Sequence, residues 1–500
     1  QKEADKLAEY KSTLTNDELE ELVKKTKELK EYQDTPSSQE DLEKIPMLEL
    51  SDIKREPAKD YNDVKSVDGI KIVHHNIFTN KIAYINMSFD TKCVPDELIP
   101  YMGLLGSTLS LMDTKNYTYP ELTNEININC GGLATGTALY SDKVDFSKNT
   151  IVYEVKSKAL YEKVPFVLGM MEEIMYNTRF DDYKRLKEII ARIKSRLEAS
   201  LMGQGHSIAM LECCAQFSES AYYSDILRGY KYYEFIKKLD EEFEQNKTQI
   251  VDKLNKLVGY IFNKDNVIVS LTADDEGYDC FVKALSAKSC NIKDEHYNTA
   301  VRSFIPVNVK TGYTSASQVQ YVARCGNFVK DGYKYTGALK VLKVIFSYDY
   351  LWINVRVKGG AYGCMSGSSR NGDFYMVSYR DPNLEKTNDI YEGAADYIRN
   401  FNVSRRDMVK FIIGTIGEID APLTPSAIGS RSFTHYMCNC TEDMLRKDRE
   451  EVLDATVESI RELAPLIESA VGQNYLCVVG NQKQINEAAD LFDEIKPLIG

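Results

Sequence analysis

Histidine is scarce in this sequence. Five occur in 500 residues, His74, His75, His206, His296 and His435. No two are four residues apart, so no helix can turn two imidazoles toward one metal ion. His74 and His75 adjoin in a strand-like stretch and point to opposite faces. His206 lies in Gly203-Gln204-Gly205-His206-Ser207, which reads as a loop between long helices. All five read as structural or solvated residues, and no metal ligand set is expected.

Other absences narrow the field further. No apolar run approaches the roughly 18 residues a membrane helix needs. The eleven cysteines contain no C-x-x-C pair and no zinc-finger spacing, so buried reduced thiols in a cytoplasmic setting, or an organelle matrix, are expected. There is no G-x-S-x-G elbow, no Walker loop and no dinucleotide fingerprint. A basic surplus is also missing. The formal net charge of −13 argues against nucleic acid as the main partner and is compatible with basic or mixed-charge peptides. Acidic groups such as Asp181-Asp182 and Asp274-Asp275-Glu276 fall where helices start or chains turn, and those roles account for them.

What is present is long enough for two main domains and smaller pieces. The chain begins at Gln1 with polar, helix-favouring sequence, and the expectation is a portion of a longer or processed polypeptide. Residues 1–60 read as a helical hairpin, Lys2–Leu14 and Asp17–Gln33, joined at Thr15-Asn16-Asp17-Glu18, which has the form of a capping box.

The remainder reads as a duplication. Ala83, Ile85, Met87 and Phe89 alternate as in a half-buried strand, and so do Val319, Tyr321, Ala323 and Cys325. Each strand is followed by a glycine pair, Gly131-Gly132 in one case and Gly359-Gly360 in the other. Each unit closes on a strand, Asn266–Leu271 or Asn474–Gly480, and then a helix, Gly277–Leu285 or Gln484–Ile495. Long helices are expected at Leu160–Met175, Phe180–Leu197 and Tyr232–Phe262. The period of about 230 residues excludes a solenoid. The expected fold is α+β: two similar units, 61–295 and 296–500, each a mostly antiparallel sheet with helices packed on one face.

One segment carries chemistry, Asp349 to Gly363, with the only tryptophan, Trp352. A helix from Tyr335 through about Val355 is expected to break at Gly359-Gly360 and become a strand at Ala361. The glycines permit close backbone approach by another chain. Arg356 offers a forked donor and Tyr362 an O–H, and together they could stabilise an oxyanion on an attacked peptide carbonyl. A surface arginine and a half-buried tyrosine at an ordinary turn fit the same residues, and nothing local decides between the two.

The run Tyr350-Leu351-Trp352, then Arg356-Val357-Lys358-Gly359-Gly360-Ala361-Tyr362-Gly363, resembles the C-terminal signature of insulinase-type (pitrilysin) metallopeptidases. The nearest branch is that of presequence protease and falcilysin. Asp420-Ala421-Pro422-Leu423-Thr424-Pro425 with Gly429, Ser432 and Phe433 resembles that branch's last domain. The N-terminal segment, through Leu48, Leu50, Ser51, Asp52 and Ile53, resembles the hairpin joining its halves. The resemblance implies the C-terminal half of a zinc endopeptidase that degrades unstructured peptides, with 61–295 and 296–500 as its third and fourth units. Zinc would be held by the N-terminal half, through H-x-x-E-H and a distal glutamate, and none is expected here. At the corresponding place stand Leu104-Leu105-Gly106-Ser107-Thr108. The implied roles are substrate-carbonyl contact for Arg356 and Tyr362, and substrate binding for Gly359, Gly360 and Ala361. The implied partners are the N-terminal half and peptide substrates, and this portion alone should be inactive. A non-catalytic scaffold or peptide-binding subunit of the same fold is the alternative.

Overall fold

The computed structural model describes the chain except for Gln1, Pro36, Ser37, Gln39, Leu42, Glu43, Met47, Ser289, Cys290 and Gly500. It divides into two compact units, Gln1–Ile53 and Lys54–Gly500. The first holds helices Lys2–Thr13 and Asn16–Asp34. The Glu18 N–H donates to Thr15 Oγ1 and the Thr15 N–H to Glu18 Oε2 (2.8 Å), so the two residues cap the second helix reciprocally.

The second unit contains two six-stranded sheets. The first is built from β1 (Asp63–Val67), β2 (Ile70–Asn76), β3 (Ile82–Asp90), β4 (Leu133–Ser141), β5 (Asn149–Leu160) and β6 (Val267–Ala273), in the order β1-β2-β6-β3-β5-β4. The second comprises β7 (Thr311–Ser315), β8 (Tyr321–Asn327), β9 (Gly363–Ser368), β10 (Asp373–Tyr379), β11 (Tyr475–Asn481) and β12 (Glu494–Pro497), in the order β12-β7-β11-β8-β10-β9. Strands β2 to β6 map in order onto β7 to β11. The parallel pair β2/β6 corresponds to β7/β11, and the free edges β4 and β9 correspond. The duplication breaks only at the far edge, where β1 is antiparallel to β2 and β12 parallel to β7.

Alternation along β3 sets the sidedness of the first sheet. Ala83, Ile85, Met87 and Phe89 are buried and join one core with helices Ile99–Thr108, Val164–Tyr176, Tyr183–Gly203 and Phe243–Ile261. Tyr84 and Asn86 face the other way, beside Lys158 and Lys156 of β5. Asp182 and Asp274 cap helices, accepting from the N–H of Arg185 and of Gly277.

Several elements depart from the sequence expectation. Tyr232–Phe262 is two helices, Tyr230–Glu241 and Phe243–Ile261. His206 is not in a loop but in the first turn of helix Gly205–Ala215, which crosses to the second sheet. Gly205 is there for contact, since a methyl group at that position would fall 2.3 Å from Tyr321 Cδ2. Gln484–Ile495 is a short helix, Gln482–Glu487, a 3-10 turn and then β12, because the Glu494–Pro497 backbone pairs with β7. The ten described cysteines are free thiols, and burial pushes Cys325 and Cys477 well up.

Candidate functional site

The segment singled out in the sequence begins as helix Ala338–Ile345, later than expected, and continues through two wide π-helical turns, Phe346–Tyr350 and Trp352–Val357. Such turns insert an extra residue into the hydrogen-bond ladder and recur at functional sites. Buried Phe346, Leu351 and Val355 hold the inner side. The Tyr350 hydroxyl donates to Ile390 O (2.5 Å), its ring stacks on Tyr397 (4.5 Å between centroids), and the Tyr397 hydroxyl donates to Asp349 Oδ2 (2.7 Å).

The exit from the helix is a glycine cap. Gly360 has φ +82°, its N–H donates to Arg356 O (2.8 Å), and the Ala361 N–H donates to Val355 O (3.1 Å). Gly359 has no room for a side chain, since a methyl group would stand 2.4 Å from Val355 O. The Gly359 carbonyl accepts from Asn383 Nδ2 (2.6 Å), and the Asn383 N–H donates to Asp381 Oδ1 (2.9 Å). Asp381 is fully buried. It also accepts from the Thr387 hydroxyl (2.7 Å), and its backbone exchanges two hydrogen bonds with Gln320. Burial raises its carboxyl above the ordinary range. Sequence reasoning missed this clamp, and Asp381-Pro382-Asn383 carries no motif that would reveal it. The strand starts at Gly363 rather than Ala361, which is buried beneath the turn.

Arg356 and Tyr362 lie on the outer side of this frame. The Arg356 guanidinium carbon is 3.9 Å from the Trp352 ring centroid and 5.9 Å from that of Tyr362. Tyr362 is 67% exposed and meets Tyr379 edge-on at 5.8 Å. Among the described residues, no carboxylate pairs with Arg356 and nothing bonds the Tyr362 hydroxyl. An always-charged fork and an O–H donor are therefore held open on an aromatic platform, beside the free edge of β9. Burial pushes the neighbouring Cys364 thiol up to about 11, which keeps it neutral. The arrangement can receive a carbonyl or carboxylate oxygen, and it contains no general base.

Nor does the corresponding part of the first sheet supply metal chemistry. In helix Ile99–Thr108, Leu104, Leu105 and Thr108 are buried, Gly106 O accepts from the Thr135 hydroxyl, and Thr108 Oγ1 bonds Leu105 O. These side chains do not fit a zinc ion. Elsewhere, exposed Asp265, Asp294 and His296 bring three ligand atoms within 4.8 Å of one another. They lie outside the Arg356 segment.

The fold matches solved structures. The peptidase M16 inactive domain from Pseudomonas fluorescens superposes with a TM-score of 0.57 at 15% identity, covering 87% of this chain and 98% of that one. A protease from Helicobacter pylori gives 0.59 at 13% identity, covering 84% and 99%. The architecture is thus that of the M16 peptidases. Two family profiles match, one for the region associated with subfamily C of peptidase family M16, over residues 1–239, and one for the PreP C-terminal domain, over residues 312–481. Protein HypA of Clostridium perfringens is 39% identical over 99% of this chain and 51% of its own length. Presequence protease 1, chloroplastic/mitochondrial, of Arabidopsis thaliana is 30% identical over 98% of this chain and 46% of its own. The chain belongs to the presequence-protease-like M16 metallopeptidases and carries their C-terminal portion. It spans about half the length of the curated relatives it matches.

Proposed function

We propose that this chain is the C-terminal half of a zinc metalloendopeptidase that degrades unstructured peptides. The hairpin links it to the N-terminal half, which holds the zinc and the water-activating glutamate. The layers over 61–295 and 296–500 are the third and fourth peptidase units, and they close the far side of a substrate chamber. Arg356 donates to the oxygen of the attacked carbonyl as charge develops there, and Tyr362 donates a second hydrogen bond or holds the peptide backbone. Gly360 presents open backbone at the turn, so a substrate chain can pass close to it.

The observation that carries this reading is the Arg356 fork, stacked on Trp352 with no carboxylate partner among the described residues, at the free edge of β9. A pure scaffold has no use for an unpaired, oriented guanidinium there. The test combines this chain with the N-terminal half and follows cleavage of an unstructured peptide with and without a chelator. Chelator-sensitive cleavage that requires both halves is expected. Peptide binding without any cleavage would instead make the chain a non-catalytic peptide-binding subunit.

A further inference from the structure

We infer that the cleft at the Gly131-Gly132 turn is a second binding station, which takes an extended peptide segment by a carboxylate, either an acidic side chain or the C-terminus. The inference rests on the reading that this chain handles peptides, but it concerns a place far from Arg356 in sequence and on the other sheet. In the duplicated fold, Gly131-Gly132 is the counterpart of Gly359-Gly360. Gly132 has φ +111° and Gly360 +82°, and both turns lead into a free edge strand, β4 and β9 respectively.

The first of these turns opens onto a cavity. The cleft holds about 420 Å³, within the usual range for ligand sites. Its floor is the side of the first sheet that turns away from the main core, and its far wall is helix Pro425–Met437. Leu133, Ala134 and Phe433 give it apolar surface, and Asn86, Lys158 and Ser430 give it polar groups.

Two of those groups decide what the cleft can hold. Asn86 Nδ2 donates to Glu154 Oε1 (2.8 Å), which fixes the amide and leaves Oδ1 buried with no partner. The amide is thereby held in place in the cleft's lining. Lys156 is neutralised by Glu154 at 2.5 Å, whereas Lys158 pairs with no carboxylate among the described residues. Its chain lies along the turn, where a methyl group on Gly131 would stand 2.6 Å from Lys158 Cε. The cleft therefore keeps one uncompensated cation, which selects a carboxylate.

Close contacts seat the far wall. Gly429 packs so tightly on β6 that a methyl group would fall 1.8 Å from Thr272 Oγ1, and His435 Nδ1 bonds Asp60 Oδ2 at 2.6 Å on the helix's other flank.

The test uses the 500-residue chain and fluorescein-labelled unstructured decapeptides read by anisotropy. One peptide ends in a free carboxylate, one is amidated but contains aspartates, and one has neither. Lys158→Glu should weaken the carboxylate peptides by about tenfold or more, a charge reversal at a partly screened site. Ala134→Trp, which fills the cleft from an exposed position, should do the same while leaving the thermal transition unchanged. Loss confined to the free-carboxylate peptide identifies the C-terminus, and loss confined to the aspartate peptide identifies side chains. Wild-type affinity in both variants overturns the site, and undiminished peptide turnover dependent on Arg356 in the assembled enzyme would then leave the proposed function standing. Should wild-type chain bind none of the three peptides, the inference fails outright.

Discussion

The guanidinium of Arg356 lies over the indole of Trp352, one helical turn away, at 3.9 Å from the ring centroid. Stacking removes most of the freedom of a long side chain without consuming any of its five N–H donors. A donor held in advance costs little reorganisation when charge appears on a substrate oxygen. In the complete enzyme, Arg356→Ala should lower kcat by about 10² to 10³. Arg356→Lys should recover little, because the fork is lost. Trp352→Ala should cost about two- to five-fold, the worth of an exposed cation–π contact. Steady-state kinetics with an unstructured peptide check all three, and wild-type turnover in Arg356→Ala would sink the assignment.

The glycines of the turn differ in what they tolerate. Gly360 sits at φ +82°, so Gly360→Ala should cost about 1–2 kcal/mol of stability. Gly359→Ala should cost more, because the methyl group meets the Val355 carbonyl at 2.4 Å and backbone cannot move aside as a side chain would. Gly417, inside helix Arg405–Ile419, has nothing within 4 Å, and Gly417→Ala there should be neutral or stabilising by up to about 1 kcal/mol. Denaturant midpoints rank the three, and equal effects at Gly359 and Gly417 would refute the steric account.

Much of this was legible from local pattern. The alternation of Ala83, Ile85, Met87 and Phe89 marks an inner face because side chains in a strand alternate. Thr15 and Glu18 cap one another because their spacing puts each side chain opposite the other's amide. What stayed hidden depends on partners distant in sequence. Glu494–Pro497 joins a sheet only because β7 lies alongside, and Gly205 looks like a loop residue until Tyr321 is seen pressed against it. The clamp from Asp381 through Asn383 to Gly359 consists of common residues at uninformative spacing. That Arg356 meets no carboxylate among the described residues is likewise a property of the folded surface.

His75 makes the stability of the fold depend on pH. It is fully buried in β2, with Nδ1 2.5 Å from Tyr61 O and Nε2 2.9 Å from Ser270 Oγ. The neutral ring donates from Nδ1 to that carbonyl and accepts the serine proton at Nε2. Burial lowers its pKa to about 4, from about 6.5 when unfolded. The unfolded chain therefore binds the extra proton first, so stability falls as pH drops from about 6.5 to about 4, by up to roughly 3 kcal/mol. His75→Gln should flatten that slope in urea titrations between those pH values, at some cost in stability near neutrality. An unchanged slope would exclude His75 as its source.

Gly429 allows helix Pro425–Met437 to sit directly on β6, where a methyl group would lie 1.8 Å from Thr272 Oγ1. Gly429→Ala should destabilise the chain by about 1–3 kcal/mol through overpacking. Thr272→Ala removes the obstructing hydroxyl and should restore part of that loss in the double variant, a coupling of the sign expected for direct contact. Strictly additive effects would place the strain elsewhere.

Metal removal separates the two halves of the proposed enzyme. Helix Ile99–Thr108 offers Leu104, Leu105, Gly106, Ser107 and Thr108 where the resemblance would put the zinc motif; it buries Leu104, Leu105 and Thr108 and sets Gly106 against β4. The trio Asp265, Asp294 and His296 is exposed, and His296 Nδ1 already pairs with Asp265 Oδ2 at 2.5 Å without an ion. A chelator should therefore leave the thermal transition of this chain unmoved, and His296→Ala should not shift it either. The same chelator should abolish peptide cleavage by the assembled enzyme, since the proposal puts the activating ion in the other half. A fall in the melting temperature of the isolated chain on chelation would mean that it holds a structural metal after all. Chelator-insensitive cleavage would rule out the division of labour between a metal-bearing half and a half that contributes Arg356.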